Sequence, residues 1–128
     1  MNETNGRDEV FWKIGHDPDD EQLREAVSKV ENPNKADNGG MTYLHAAATN
    51  RKVGAAEALL KKGADPNCVD NRGNTPLSNA IGRKHPDNAK IVQLLLDYGA
   101  DLDAKCGGST IRETIKMFND PDLMRFVE

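Results

Sequence analysis

A stretch of the chain repeats itself with a period of 33 residues, and this repetition restricts the fold more than any other feature. The segment 39–48, GGMTYLHAAA, aligns with 72–81, RGNTPLSNAI, so that Thr42 and Thr75 stand 33 residues apart. A fixed period of this length is typical of stacked units, each of which contacts only its neighbours. The sequence therefore predicts an elongated array of small helical units.

A second matching block follows the first in both units. The segment 57–67, EALLKKGADPN, aligns with 93–103, QLLLDYGADLD, but these blocks lie 36 residues apart. The second unit thus carries three extra residues. We place them near 85–88, because Pro86 and Asp87 are typical of a turn.

Both blocks resemble the motifs of ankyrin repeats. The motif T-P-L-H-x-A of that family reads TYLHAA at 42–47 and TPLSNA at 75–80. Paired leucines precede Gly-Ala-Asp at 59–65 and again at 95–101. The combined match spans about 34–103 of the 128 residues. Chance agreement of two separate blocks at this spacing is very improbable.

The chain departs from the family pattern at two places. Arg51 and Lys52 stand where the family has a Gly-His turn, so we expect the helix–helix turn of the first unit to be atypical. Ser78 replaces the histidine of the motif in the second unit.

The resemblance implies an all-α fold, an ankyrin-repeat solenoid of stacked helix-turn-helix units joined by short β-hairpin-like loops. Terminal units of such arrays diverge, because one face of each has no neighbour. We therefore expect one domain over 1–128 with four units: an N-terminal capping unit at about 8–33, a repeat at 34–66, a repeat with the insertion at 67–102, and a C-terminal capping unit at 103–128.

Local chemistry supports this helix pattern. Thr42 and Thr75 are predicted N-caps, and Pro76 occupies the first helical position, where its missing N–H costs nothing. Gly63 and Gly99 are expected to end the second helices in the left-handed conformation. The predicted buried faces, by their helical spacing, are Leu44, Ala47, Ala48, Leu77, Ala80 and Ile81 in the first helices, and Ala55, Ala56, Leu59, Leu60, Ile91, Val92, Leu95 and Leu96 in the second.

Composition and charge narrow the classes of partner and compartment. Hydrophobic residues make up 37% of the chain and aromatic residues 5%, which suits thin layers built from alanine and leucine. The net charge of −4 disfavours nucleic acid and anionic membranes as partners. No apolar run is long enough to span a membrane, and MNETNGRDEV does not resemble a secretory signal, so we expect a cytoplasmic protein. Cys68 and Cys106 lack metal-site spacing and are expected to be free thiols.

No motif points to catalysis, a metal or a cofactor. Phosphate-binding loops, nucleophile elbows and HExxH are absent from the sequence. In ankyrin repeats the histidine of the motif is structural and bonds to backbone near the hairpin, so the resemblance implies this role for His45. His16 and His85 are expected at the surface, and the acidic run at 17–21 is expected to supply charge at the start of a helix.

Ankyrin-type modules resemble a cupped hand, in which the hairpin tips are fingers and the first helices line a palm. Carried over by position, the resemblance implies finger residues Asn38, Met41, Asn71, Arg72 and Asn74, with Tyr43 as an aromatic anchor near the first finger, and palm residues Thr49, Asn50, Gly82 and Arg83.

The aromatic pair Phe11 and Trp12 cannot face the same side of one helix. Phe11 is the better core residue, and Trp12 either plugs the N-terminal cap or is an exposed anchor.

The function favoured by these observations is a non-catalytic protein–protein interaction module, expected to be monomeric. One alternative is a free-standing immunity or inhibitor protein that neutralises a toxin or effector, since some bacterial immunity proteins resemble this type. Another is an intracellular regulator of a signalling or transcription protein. An enzyme is the least favoured class.

Overall fold

The computed structural model of the chain describes residues 8–83 and 85–127, with only the backbone at Cys106. Over these residues the regular secondary structure is almost entirely helical, as predicted. The helices are α1 (Glu9–His16), α2 (Glu21–Ser28), α3 (Tyr43–Thr49), α4 (Val53–Lys61), α5 (Pro76–Ala80), α6 (Asn88–Asp97), α7 (Ile111–Phe118) and α8 (Pro121–Met124). A short antiparallel hairpin of β1 (Lys105–Cys106) and β2 (Ser109–Thr110) precedes α7.

The helices stack in two rows. The first helices form one row, in which α3 packs between α1 and α5, and the second helices form the other, in which α4 packs between α2 and α6 and α6 also contacts α8. One hydrophobic core runs between the rows through the whole stack, from Phe11 to Val127. This arrangement confirms the predicted solenoid.

Threonine side chains start three of the first helices. Thr42, Thr75 and Thr110 each accept a hydrogen bond from the backbone N–H three residues later, and the side chain of that later residue bonds back to the threonine N–H. This capping box satisfies two backbone groups at once. Ser78 completes the box of α5, so the loss of the motif histidine leaves the helix start intact.

Glycine ends the two long second helices, as predicted. Gly63 and Gly99 have φ values of +102° and +98°, which residues that carry a side chain rarely adopt. The following residues, Ala64 and Ala100, donate their N–H groups back to the carbonyls of Leu59 and Leu95. These bonds are the Schellman pattern of a helix end.

The predicted buried faces are confirmed, with one exception. The residues that were predicted to be buried in the two rows are at most 4% exposed, apart from Leu96, which is half-buried. Leu96 lies on α6, whose outer neighbour α8 is a single turn of four residues and therefore covers less of it.

The turn between α3 and α4 is atypical, as expected. Arg51 adopts a φ of +56°, a left-handed conformation that costs a residue with a Cβ about 1–2 kcal/mol. Its guanidinium offsets this cost by donating to Asn88 Oδ1, Thr49 O and Arg83 O at 2.9, 3.0 and 3.2 Å. Arg51 thus connects its own turn to the loop of the next unit.

The acidic run at 17–21 caps two helices. Asp20 accepts from Leu23 N at the start of α2, as expected. Asp19 instead accepts from Gly54 N and Ala55 N, at 2.9 and 3.2 Å, and caps α4 of the following unit. Since Lys52 provides no side-chain cap there, α4 depends on this acceptor from its neighbour.

Asparagine side chains join the loops of successive units at their base. Asn34 donates to Gly63 O and accepts from Asp65 N, and Asn67 does the same with Gly99 O and Asp101 N. Each amide therefore satisfies one acceptor and one donor of the next loop. We call these two contacts the amide clamps.

His45 joins the same units at the fingers. Its side chain is fully buried. Nδ1 accepts from Thr42 N at 3.1 Å, so Nε2 carries the proton and donates to Asn74 O at 2.8 Å. The structural role that the resemblance implied for His45 is thus confirmed.

Candidate functional site

An open trough crosses the row of first helices close to their C-terminal ends. It consists of three clefts that share walls. Thr49 and Asn50 line both the first and the second cleft, and Gly82 and Arg83 line both the second and the third. We call this continuous surface the palm trough. Four predicted palm residues thus form its inner walls.

The N-terminal cleft of the palm trough has a volume of about 270 Å³ and an aromatic wall. Trp12 is 57% exposed and stacks on His16, with ring centroids 4.4 Å apart. Phe11 is 2% exposed and belongs to the core. The two alternatives for Trp12 are therefore decided in favour of an exposed side chain, on the trough.

The central cleft is the largest of the three, at about 580 Å³, and its lining is polar. Its lining residues include Arg51, Arg83, Asn74 and Asn79. Burial and the neighbouring positive charge of Arg83 lower the pKa of Arg51. The cleft therefore concentrates positive charge and amide groups within a chain that is acidic overall.

The C-terminal cleft, of about 270 Å³, is apolar again. Ile81 and Leu123 form its floor, and Phe118, 54% exposed, forms its outer wall. The adjacent Met117 is 72% exposed. Large apolar side chains thus stand at both ends of the palm trough, which is unusual for a surface in contact with water alone.

The fingers lie beside the trough and are tied to one another. Asn71 donates its backbone N–H to Gly39 O at 2.9 Å and its side-chain amide to Asn38 O at 3.1 Å. Asn38, Asn71 and Arg72 are exposed at the tips, whereas Met41 and Asn74 are half-buried. The predicted finger residues therefore form one surface, but their role in binding stays a prediction.

Tyr43 does not present its ring to a partner, contrary to the expected anchor role. The residue is 2% exposed, and its ring stacks on Phe11 with centroids 4.4 Å apart. Its hydroxyl donates to Asp8 Oδ2 at 2.5 Å. Burial and this carboxylate raise the pKa of Tyr43. The ring faces the N-terminal capping helix because Phe11 offers it an apolar surface there.

Asp8 is the acceptor that makes this burial possible. Burial alone would raise the pKa of its carboxyl, but hydrogen bonds from Tyr43, Lys35 and Phe11 N outweigh that effect and lower it. Lys35 Nζ lies 3.0 Å from Asp8 Oδ2. The carboxylate thereby fastens the capping helix to the first finger loop.

Sequence reasoning missed the trough residues His16, Asn79 and Phe118, and with them the exposed Met117 next to Phe118 in sequence. A signal for the last two was present. Counted from their N-caps Thr42 and Thr110, Met117 and Phe118 stand at the positions of Thr49 and Asn50, which were selected as palm residues. Because the C-terminal unit was treated only as a cap, its palm positions were not carried over.

The remaining histidine and cysteine side chains of the described residues lie apart from the trough or at its edge. His16 and His85 are exposed, as expected, and no group of three or more His, Cys, Asp or Glu suited to a metal occurs in the described ranges. Cys68 is a free thiol, and burial and Asp65 raise its pKa, which makes it a poor nucleophile. The side chain of Cys106 lies outside the described part.

None of the helices that the structure describes has the length and apolar character needed to cross a bilayer.

Stacked helix pairs, projecting hairpin loops and an open trough along the first helices define a helical-repeat scaffold of the ankyrin type. The family model for ankyrin repeats (3 copies) matches residues 14–106. The chain therefore belongs to the ankyrin-repeat family. Ankyrin repeats are in general modules for protein–protein interaction rather than catalysis.

Named relatives carry the same repeats within longer chains. A putative ankyrin repeat protein of Rickettsia felis is 40% identical over 58% of this chain and 34% of its own length. A putative ankyrin repeat-containing protein of Treponema pallidum is 42% identical over 61% of this chain and 25% of its own. The human BCL-6 corepressor-like protein 1 is 38% identical over 76% of this chain and 5% of its own. The chain thus spans about a third or less of these relatives.

Proposed function

We propose that this chain is a non-catalytic protein-binding module, and that a segment of its partner lies along the palm trough. The observation that carries the proposal is the pairing of exposed Trp12 and Phe118 at the two ends of one continuous concave surface. Exposed aromatic rings beside a concave surface are the usual anchors of a protein interface.

The dimensions of the trough suit a peptide-sized segment. Neighbouring packed helices lie about 8–10 Å apart, so the three steps from α1 to α7 extend over about 24–30 Å. An extended segment of about eight or nine residues covers that length at about 3.3 Å per residue. The fingertips at Asn38, Asn71 and Arg72 are exposed and can contact parts of the partner outside the trough.

Two finer functions use the same surface. As an inhibitor or immunity protein, the chain would occlude a toxin or effector; as a regulator, it would engage a signalling or transcription protein in the cytoplasm. The two differ in the identity of the partner and in the consequence of binding. Recovery of the partner and an assay of its activity with and without the chain therefore decide between them.

A substitution that fills the trough tests the proposal directly. Gly82 has an ordinary backbone conformation, and a Cβ there would approach no atom closer than 3.5 Å, so Gly82→Trp is expected to fold while obstructing two clefts. Gln93→Trp is the matched control, because Gln93 is exposed on the outer helix α6.

The measurement uses peptides selected from a displayed library of random 16-residue sequences on the wild-type chain. We expect Gly82→Trp to weaken their binding by at least about 10-fold in fluorescence anisotropy, and Gln93→Trp by less than about twofold. The melting temperature of each variant verifies its fold. Equal binding of the selected peptides by a folded Gly82→Trp chain would refute the palm trough as the binding surface.

A further inference from the structure

We infer that the central cleft of the palm trough binds a carboxylate of the partner, so that the partner segment carries an Asp or Glu between two apolar residues. This inference rests on the proposed function and specifies its partner chemically. The starting point is the distribution of charge along the trough. Both cationic groups of the central cleft, Arg51 and Arg83, lie in its lining, and no acidic side chain of the described residues does.

The two arginines differ in how many of their N–H donors are free to bind a ligand. Arg51 already donates to three oxygens and is held in place by them. Arg83 is exposed, and its guanidinium makes no hydrogen bond or ion pair with any residue in the described ranges. An unpaired guanidinium is a planar fork of donors that matches a carboxylate in a bidentate manner.

The neighbouring carboxylates do not neutralise this cleft. Asp87 acts on Arg51 but lies outside the lining and pairs with Lys90 at 3.7 Å. Asp120 lines the adjacent C-terminal cleft, where its side chain accepts from Asp122 N as the cap of α8. No acidic side chain lines the central cleft, so the positive charge of Arg83 is left for a ligand to balance.

Residues with uncharged donors line the same cleft as Arg83. These are Asn74, Asn79 and Thr49, and neither their side-chain amides nor the hydroxyl has a hydrogen-bond partner in the part of the chain that the structure describes. Amide and hydroxyl donors add specificity to a charge pair at low cost, because they need no neutralisation when the site is empty.

The flanking clefts determine the rest of the partner segment. Trp12 stands on one side of the central cleft and Phe118 on the other, each about one and a half helix spacings, or about 12–15 Å, away. An extended chain covers that distance in about three to five residues. The segment that fits is therefore an acidic residue with an apolar residue about three to five positions away on each side.

The overall charge of −4 sharpens this preference. A densely anionic polymer would be strongly repelled by the acidic surface outside the trough, whereas a segment with one or two carboxylates gains the local attraction at a much smaller cost. The expected partner is thus a mildly acidic, largely apolar protein segment.

A double-mutant cycle tests the inference on a peptide selected as described above. We expect the selected peptides to contain Asp or Glu between apolar residues. Replacing that residue with its amide should weaken binding to the wild-type chain by about 10-fold, and Arg83→Gln should weaken binding of the unaltered peptide by a similar factor. The amide peptide should lose little further affinity on Arg83→Gln, since the interaction is already absent.

The controls separate this inference from the proposed function. Lys61→Gln removes an exposed positive charge on the outer helix α4 and is expected to leave binding unchanged. Arg83→Lys should retain part of the affinity, because a lysine keeps the charge but not the fork. If Gly82→Trp abolishes binding but the cycle shows no coupling, the carboxylate site is wrong and the binding module stands. If neither Gly82→Trp nor Arg83→Gln affects binding, the palm trough is refuted as the binding surface. A preference of more than about 10-fold for a phosphoserine in place of the carboxylate would overturn the assignment in favour of a phosphate site.

Discussion

Replacement of His45 with alanine is expected to destabilise the fold by about 3 kcal/mol. The side chain is fully buried and bonds to Thr42 N and Asn74 O. Without the imidazole, the buried N–H of Thr42 loses its acceptor, at a cost of about 2 kcal/mol. The bond to Asn74 O contributes about 1 kcal/mol, because that residue is half-buried and water can replace the donor.

Urea unfolding followed by far-UV circular dichroism measures this loss. A decrease of about 3 kcal/mol in a chain of this size lowers the melting temperature by about 10 °C. Ser78→Ala is the matched control, since Ser78 occupies the same position in α5 and its side-chain hydrogen bonds within the described residues all go to Thr75. It removes a capping acceptor but no bond between units, so we expect a loss of about 1–2 kcal/mol.

Two results would refute this reasoning. Equal losses at His45 and Ser78 would mean that the bond to the next finger adds nothing to stability. A His45→Ala chain with an unchanged melting temperature but a lost binding or catalytic activity would mean that the histidine acts in function rather than in the scaffold.

Three further predictions follow from the structure. The lowered pKa of Asp8 means that its stabilisation is complete above the ordinary value of 3.8 and is lost as pH falls below it. The difference in unfolding free energy between wild type and Asp8→Asn should therefore shrink from about pH 6 to about pH 2, and a difference that does not change with pH would contradict this role. Gly73→Ala should lower the free energy of unfolding by about 1 kcal/mol, because the backbone at Gly73 is left-handed. In urea unfolding, Gly40→Ala should lower it by at least about 1 kcal/mol more, because a Cβ there would also lie 2.9 Å from a backbone nitrogen of the next finger. Asp19→Ala should cost about 1 kcal/mol by the same measurement, since α4 has no other side-chain cap, and an unchanged stability would show that this contact is dispensable.

Features set by local chemistry were predictable from the sequence. The N-caps at Thr42 and Thr75 and the helix ends at Gly63 and Gly99 depend on residues within one turn of the chain. The repeat then places these elements in register, so the rows of helices and their buried faces follow from the period.

Features that depend on contacts between units were not predictable in the same way. The ring of Tyr43 is buried because Phe11 and Asp8, about one unit earlier in sequence, accommodate its face and its hydroxyl. Asp19 caps a helix of another unit for a similar reason. The palm trough was located only in part, because the C-terminal unit was treated as a cap and the palm positions of Met117 and Phe118 were not carried over from Thr49 and Asn50.

The ties between successive loops are unequal, and this has a consequence for the order in which the protein opens. The first and second fingers are joined at the base by Asn34, at the tip by Asn71 and between these by His45. Among the described residues, the side-chain bonds from the second loop to the third are those of Asn67 at the base. In native-state hydrogen exchange, the amides of α7 and α8 should therefore lose protection in a subglobal event well below the free energy that exposes α3 and α4. The C-terminal helices, which carry Phe118, would then be the part of the palm trough best able to adjust its position to a bound partner segment.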